Sequence, residues 1–107
     1  GRWTFVGFFP GLARYSSVAF SVGNKAYFGL GYNLTEGALD DFWEFDPTTD
    51  KWRKRTAFPG GSRYKAVGFS IGSFGYAGTG LQKRVSPIGA FAFNETYKDL
   101  WRYEPER

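Results

Sequence analysis

Cysteine, histidine and methionine are all absent from the 107 residues. Without thiols or imidazoles the chain has no disulfide, no thiol nucleophile, no imidazole acid–base chemistry and no zinc or copper site built on sulfur or imidazole ligands. No catalytic residue, metal ligand or cofactor is therefore assigned. No run of 18 apolar residues occurs, and the N-terminus lacks the basic, apolar and small-residue sections of a signal peptide, so neither a membrane span nor an export signal is expected in this segment and no compartment is assigned. No glycine-rich phosphate loop ending in Lys-Ser/Thr follows any expected strand. Adjacent Asp40 and Asp41 have no counterpart pair in the second half of the chain beyond Asp99, which leaves a glycosidase-type carboxylate pair unsupported. Because methionine is missing, Gly1 is not a translational start, and the chain is expected to be a processed product or a piece of a longer one.

Aromatic residues make up 21% of the chain (12 Phe, 7 Tyr, 4 Trp), alongside 15 glycines. That mixture favours short strands and tight turns, hence an all-β fold. The length suits one small domain. Fourteen basic residues against ten acidic ones give a net charge of +4, an excess that suits anionic partners but is also ordinary for a protein surface.

The sequence repeats itself. FPGLARYSSVAFSVGNKAYFGLGY, Phe9 to Tyr32, aligns with FPGGSRYKAVGFSIGSFGYAGTGL, Phe58 to Leu81, at a constant shift of 49 that also puts Trp3 on Trp52. DFWEFDP, Asp41 to Pro47, aligns with DLWRYEP, Asp99 to Pro105, at a shift of 58, so the second copy carries nine additional residues between Leu81 and Asp99. Each copy reads as an antiparallel meander. Strand a covers Ser17 to Val22 and Lys65 to Ile71, and strand b Lys25 to Leu30 and Phe74 to Thr79, joined by Gly-Asn or Gly-Ser pairs suited to two-residue hairpins. Strand c covers Asp41 to Asp46 and Asp99 to Glu104, and strand d Lys51 to Thr56. Residues 2–6 match strand d of a preceding copy. Blade one would then span 14–57, and blade two 63–107 without a strand d of its own. Meanders repeating at a period near 50 point to propeller blades.

These residues resemble the kelch repeats: an aromatic-rich strand, glycines after strand b, a D-P type turn, and Trp52 seven residues after Phe45. GLGY and DFWEFDP are similar to the bacterial variant of the motif. At the family's glycine pair this chain has Leu30-Gly31 and Thr79-Gly80, with the other glycine moved back to Gly29 and Gly78. The resemblance implies a kelch-type β-propeller of four-stranded blades, closed by further blades from the same or other chains. EPER followed by GRW matches DPTTDKW, so the chain is one two-blade period. If it is complete, three copies would close a six-bladed homo-oligomeric ring; a fragment of a longer propeller is the alternative.

Meander parity puts the d-to-a and b-to-c connections on one face. Arg14-Tyr15 and Arg63-Tyr64 lie there, as do the unrepeated segments Asn33 to Asp40 and Gln82 to Lys98, the second carrying Lys83, Arg84 and an apolar run Phe91 to Phe93. Unrepeated loops on a rigid scaffold are where recognition resides. The resemblance implies that Arg14, Tyr15, Arg63 and Tyr64 receive a protein, an acidic small ligand or a glycan, guanidinium pairing bidentately with carboxylates, and the longer unrepeated loop adds Lys83 and Arg84 to that candidate site. The structural alternative is that Arg14 and Arg63 bridge the repeats. Lys51, Arg53, Lys54 and Arg55 read as charges protecting an outer strand edge rather than a nucleic-acid site. Asn33-Leu34-Thr35 and Asn94-Glu95-Thr96 match the glycosylation tripeptide, a pattern that arises often by chance. The leading reading is a noncatalytic binding module that recognises a protein or an acidic ligand over that face. The other is part of a carbohydrate-active kelch enzyme such as a sialic-acid-type sugar epimerase, and a third is a structural spacer.

Overall fold

Residues 1–106 are described by the structure, a computed structural model. Alternating apolar residues between glycine-rich turns build the strands, and no helix occurs among the described residues. In chain order they are β1 (Val18–Val22), β2 (Lys25–Gly29), β3 (Tyr32–Asn33), β4 (Gly37–Ala38), β5 (Phe42–Asp46), β6 (Lys51–Arg55), β7 (Val67–Ile71), β8 (Phe74–Gly78), β9 (Leu81–Val85), β10 (Ala92–Thr96) and β11 (Leu100–Tyr103). The protein is all-β, and its described residues form four antiparallel sheets.

The first main sheet runs β1-β2-β5-β6 and the second β7-β8-β11. Val22 pairs with Lys25 and Ile71 with Phe74 across two-residue loops whose first residue, Gly23 or Gly72, has φ near +60°, as a type II′ turn requires. Two segments expected as loops are themselves hairpins, β3–β4 and β9–β10. In the larger one, Ser86 Oγ accepts from the Ala90 amide at 3.0 Å and Gly89 turns with φ 71°. Residues 2–6, expected as a strand, form no ladder, because no strand of this chain lies beside them.

Pleating sends Val18, Phe20, Tyr27 and Phe42 to the same side of the first sheet, where they meet Ala77 and Tyr103 of the second, with Leu30 and Phe58 completing the core. Phe20 stacks on Tyr27 at 5.5 Å and Tyr27 meets Tyr103 at 5.3 Å. The sheets approach closely because Gly75 and Gly68 have no side chain: a methyl group on Gly75 would enter the Phe20 ring, and one on Gly68 would lie 3.0 Å from Val18. On the opposite side of the first sheet Phe9 wedges between Phe28, Trp43 and Trp52 at 5.0, 5.5 and 5.0 Å. The buried carboxylate Glu44 accepts from the Tyr27 hydroxyl at 2.8 Å and pairs with Arg55 at 3.3 Å. Burial, and then the hydrogen bond to Glu44 and its charge, push the Tyr27 hydroxyl far above its ordinary value, so it remains a proton donor.

Both repeats end their second strand on a left-handed residue that is not glycine: Leu30 has φ 57° and Thr79 φ 58°, each followed by a glycine with positive φ. The shape of a glycine pair is thus kept while its first position is not glycine. A β-branched residue there is strained by about 1–2 kcal/mol. Thr79→Gly is expected to raise the unfolding free energy by up to about 1 kcal/mol. Gly80→Ala should lower it by about 1–3 kcal/mol, since its methyl would lie 2.8 Å from the Tyr64 carbonyl oxygen. Urea titrations read both, and a destabilised Thr79→Gly would contradict the assignment of strain.

Candidate functional site

Arg14 lies before β1 and Asp41 before β5; Arg63 and Asp99 take the same places around β7 and β11. Arg14 Nη1 and Nη2 donate to the two Asp41 carboxylate oxygens at 2.5 and 2.9 Å, and Arg63 donates to Asp99 at 2.5 and 3.0 Å. Arg14 Nη1 also donates to the Leu30 carbonyl at 3.3 Å and Arg63 Nη1 to the Thr79 carbonyl at 3.0 Å. Each carboxylate takes a further bond from an indole, Trp43 Nε1 or Trp101 Nε1, at 2.8 Å. The guanidinium planes lie over aromatic rings, Arg14 over Phe9 at 5.0 Å, Arg63 over Phe58 at 4.7 Å and Tyr97 at 4.1 Å. The Arg63 side chain is 0% exposed and that of Arg14 is 1% exposed.

Those bonds answer the question the sequence left open for the two arginines. Arg63 spends Nε on the Gly61 carbonyl and the second Nη2 proton on the Gly60 carbonyl, so none of its donors is free. Each arginine ties the start of strand a to the start of strand c within its own repeat, rather than receiving a ligand or bridging the repeats. Arg63 therefore has no donor left over for a ligand carboxylate. The Arg63 bonds hold the Asp99 carboxyl down at about 2. Burial works to raise Asp41, but the bonds from Arg14 and Trp43 outweigh it and keep that carboxyl below its ordinary range.

The neighbouring tyrosines do come together. Tyr15 and Tyr64, though 49 positions apart, both meet Tyr32, at ring distances of 5.5 and 5.0 Å. Backbone pairing sets the row: Tyr15 bridges Tyr32, and Tyr64 bridges Leu81. Lys83 Nζ stands 5.7 Å from the centre of the Tyr32 ring. Tyr15 and Lys83 are exposed, Tyr32 is half-buried and Tyr64 is buried. Tyr32 was missed from the sequence because its counterpart is Leu81; its position directly after Gly29-Leu30-Gly31 was the available signal. Arg84 turns away from the row, donating to Glu95 at 2.7 Å and to the Tyr97 hydroxyl at 3.3 Å. Those two bonds raise the Arg84 pKa further above its ordinary value.

Beyond Lys83, the β9–β10 hairpin exposes Val85, Ile88, Phe91 and Phe93, and Phe91 and Phe93 meet at 6.1 Å. Asn33 is engaged locally: its side chain donates to the Ala13 carbonyl at 2.7 Å and accepts from the amides of Thr35 and Glu36. Asn94 is exposed on β10. No cluster of three His, Cys, Asp or Glu residues that could hold a metal occurs among the described residues. No helix among them is long and apolar enough to cross a membrane.

Neither a family model nor a curated protein matches the chain. Among solved structures it is similar to YjhT, at 25% sequence identity and a TM-score of 0.62. The likeness covers 76% of this chain and 25% of that one, so this chain spans about a quarter of the YjhT chain.

The Arg–Asp pairs predict acid sensitivity. A carboxyl whose pKa is lower in the folded state stabilises that state above the unfolded value, about 3.9, and the contribution is lost as pH falls through the folded value. For Asp99 that window runs from about 4 down to about 2. The melting temperature of the wild type should fall steeply over it, whereas Asp41→Asn with Asp99→Asn should be less stable at neutral pH and flatter in acid. A wild-type melting temperature that does not change across the window would contradict the pairing.

Proposed function

We propose that the chain forms part of a kelch-type β-propeller and acts as a noncatalytic binding module that recognises a protein segment bearing carboxylates and apolar side chains. The observation that carries this reading is the exposed apolar tip of the β9–β10 hairpin, with Lys83 at its base. Isolated exposed apolar residues are common on any protein, but several grouped on one projecting hairpin beside a cation suit a protein partner. Lys83 supplies the charge, the tyrosine row the flat amphipathic surface, and the hairpin the apolar contact. The repeated framework beneath supports the kelch reading through the meander of the first sheet and the matching special backbone at Leu30 and Thr79.

A second reading rests on the tyrosine row. Tyrosines gathered beside strands β1 and β7 would also suit stacking and hydrogen bonding to a sugar, as in a unit of a carbohydrate-active enzyme of the sialic-acid epimerase type. Its catalytic groups would have to come from residues outside those described.

Calorimetric titration with a synthetic peptide of alternating Glu and Leu, and separately with N-acetylneuraminic acid, distinguishes the two. The peptide should bind, and Lys83→Glu or Phe91→Ser should weaken it about tenfold, roughly 1.4 kcal/mol, without lowering the melting temperature. Binding of the sugar alone, weakened by Tyr32→Ala and unaffected by Phe91→Ser, would favour the second reading. A peptide that binds wild type and Lys83→Glu equally would overturn the first.

A further inference from the structure

The β9–β10 hairpin arises from the nine-residue insertion, and residues 85–94 around its turn form a run without a charge. Register divides its side chains between two faces. Val85 opposes Ala92 on one, where Lys83 opposes Asn94 nearer the base; Arg84 opposes Phe93 on the other, which Phe91 shares. Ile88 at the turn is 86% exposed, and Val85, Phe91 and Phe93 are exposed as well. The tip is thus apolar on both faces and at its end. A following repeat meets the first one at Leu39, whose carbonyl accepts from the Arg63 amide at 3.2 Å. Tyr97 holds that place in the second repeat, its amide bonding Gly80 as the Leu39 amide bonds Gly31, and the whole of β10 separates it from the turn.

The turn also satisfies its own amides. The Ser86 amide donates to the Phe91 carbonyl and the Gly89 amide to the Ser86 carbonyl, both at 2.8 Å. The buried Ser86 accepts through Oγ from the Ala90 amide at 3.0 Å and the Phe91 amide at 3.4 Å. Pro87 has no N–H, so between residues 86 and 91 the Ile88 amide alone lacks a partner among the described residues. Internal bonding of this kind is what a turn needs in a medium without water.

We infer that the hairpin tip enters the surface of a bilayer bearing anionic lipid, a second activity that does not rest on the peptide-binding reading. A protein surface covers one side of a hairpin, whereas acyl chains surround it, as apolar residues on both faces and at the end require. Charge fits the same occupant. Lys83 and Lys98 are exposed at the base, Glu95 is neutralised by Arg84 at 2.7 Å, and the chain carries a net +4. Lys83 stands two residues behind Val85, about 7 Å along the strand. A tip sunk about 5–10 Å therefore leaves its ammonium group at the level of the lipid phosphates. The insertion is interfacial, because β9 and β10 have 5 residues each, short of the roughly 9–11 that a spanning strand needs.

Because the chain lacks cysteine, Ile88→Cys and, on the β3–β4 turn, Thr35→Cys each take a single nitrobenzoxadiazole label. With vesicles of phosphatidylcholine and phosphatidylglycerol, the label at 88 should brighten, shift to the blue and be quenched by lipid brominated in its acyl chains, while the label at 35 stays in water. Unlabelled protein should float with these vesicles and bind phosphatidylcholine alone more weakly. Ile88→Asp should weaken binding about tenfold at an unchanged melting temperature, and Lys83→Ala about fivefold. An unchanged label at 88, or flotation that Ile88→Asp leaves intact, would overturn the inference. So would binding of the alternating Glu and Leu peptide without binding of vesicles, an outcome that keeps the protein-binding reading. Vesicle insertion without peptide binding supports the inference and removes that reading.

Discussion

A guanidinium buried against a carboxylate, once per repeat, is the constraint on which the rest of the fold depends. Arg14 with Asp41 and Arg63 with Asp99 join the segment entering strand a to the segment entering strand c, across strand b. The β2–β5 and β8–β11 ladders begin at that junction: the Leu30 amide donates to the Asp41 carbonyl at 3.1 Å and the Thr79 amide to the Asp99 carbonyl at 2.8 Å. Gly29 and Gly78 are glycines because a methyl group on either would run into those same carbonyl oxygens. The left-handed turn at Leu30 and Thr79 follows, since it presents their carbonyls to the arginine Nη1. Breaking one such pair would strand a charge in the interior, a loss on the order of 3–5 kcal/mol.

This dependence explains what could and could not be read from the residues. The β1–β2 and β7–β8 hairpins were legible because Gly23-Asn24 and Gly72-Ser73 specify two-residue loops between alternating apolar residues. The Arg–Asp partnership was not, although both residues recur, because Asp99 follows an insertion and its shift from Asp41 differs from that of Arg63 from Arg14. Asking which recurring cation and which recurring anion lie at the same ends of adjacent strands would have found it. β3, β4, β9 and β10 escaped because they have no second copy to reveal their phase. The strand expected over residues 2–6 from the match of Trp3 to Trp52 does not form in this structure, because a strand needs a neighbour for its hydrogen bonds and none stands beside those residues.

Repetition and its absence separate two kinds of work. The arginine pairs, the glycines beneath them and the left-handed turns recur because every repeat has to make the same bends. Tyr32, Lys83 and the apolar hairpin tip do not recur, and they cluster on the face formed by the d-to-a and b-to-c connections. A rigid repeated frame holding unrepeated residues at one rim suits recognition, because ligand contacts can change there without disturbing the bends that hold the sheets.

The core position occupied by Glu44 shows how the repeats are kept distinct. Its carboxylate is buried between the sheets and satisfied by Tyr27 and Arg55, an arrangement that needs a cation on strand d. In the second repeat the same position is Arg102, exposed and lying over Phe74 at 4.4 Å, and the residue matching Arg55 is Val6. The residues matching Arg53 and Arg55, Thr4 and Val6, carry no charge, and a strand bearing them would leave Glu44 without its arginine if it displaced β6. Conversely, β6 placed beside β11 would bring Arg53 opposite Arg102. These two mismatches penalise the wrong strand at either edge by charge alone, so the order of sheets is specified by repulsion and desolvation as well as by fit.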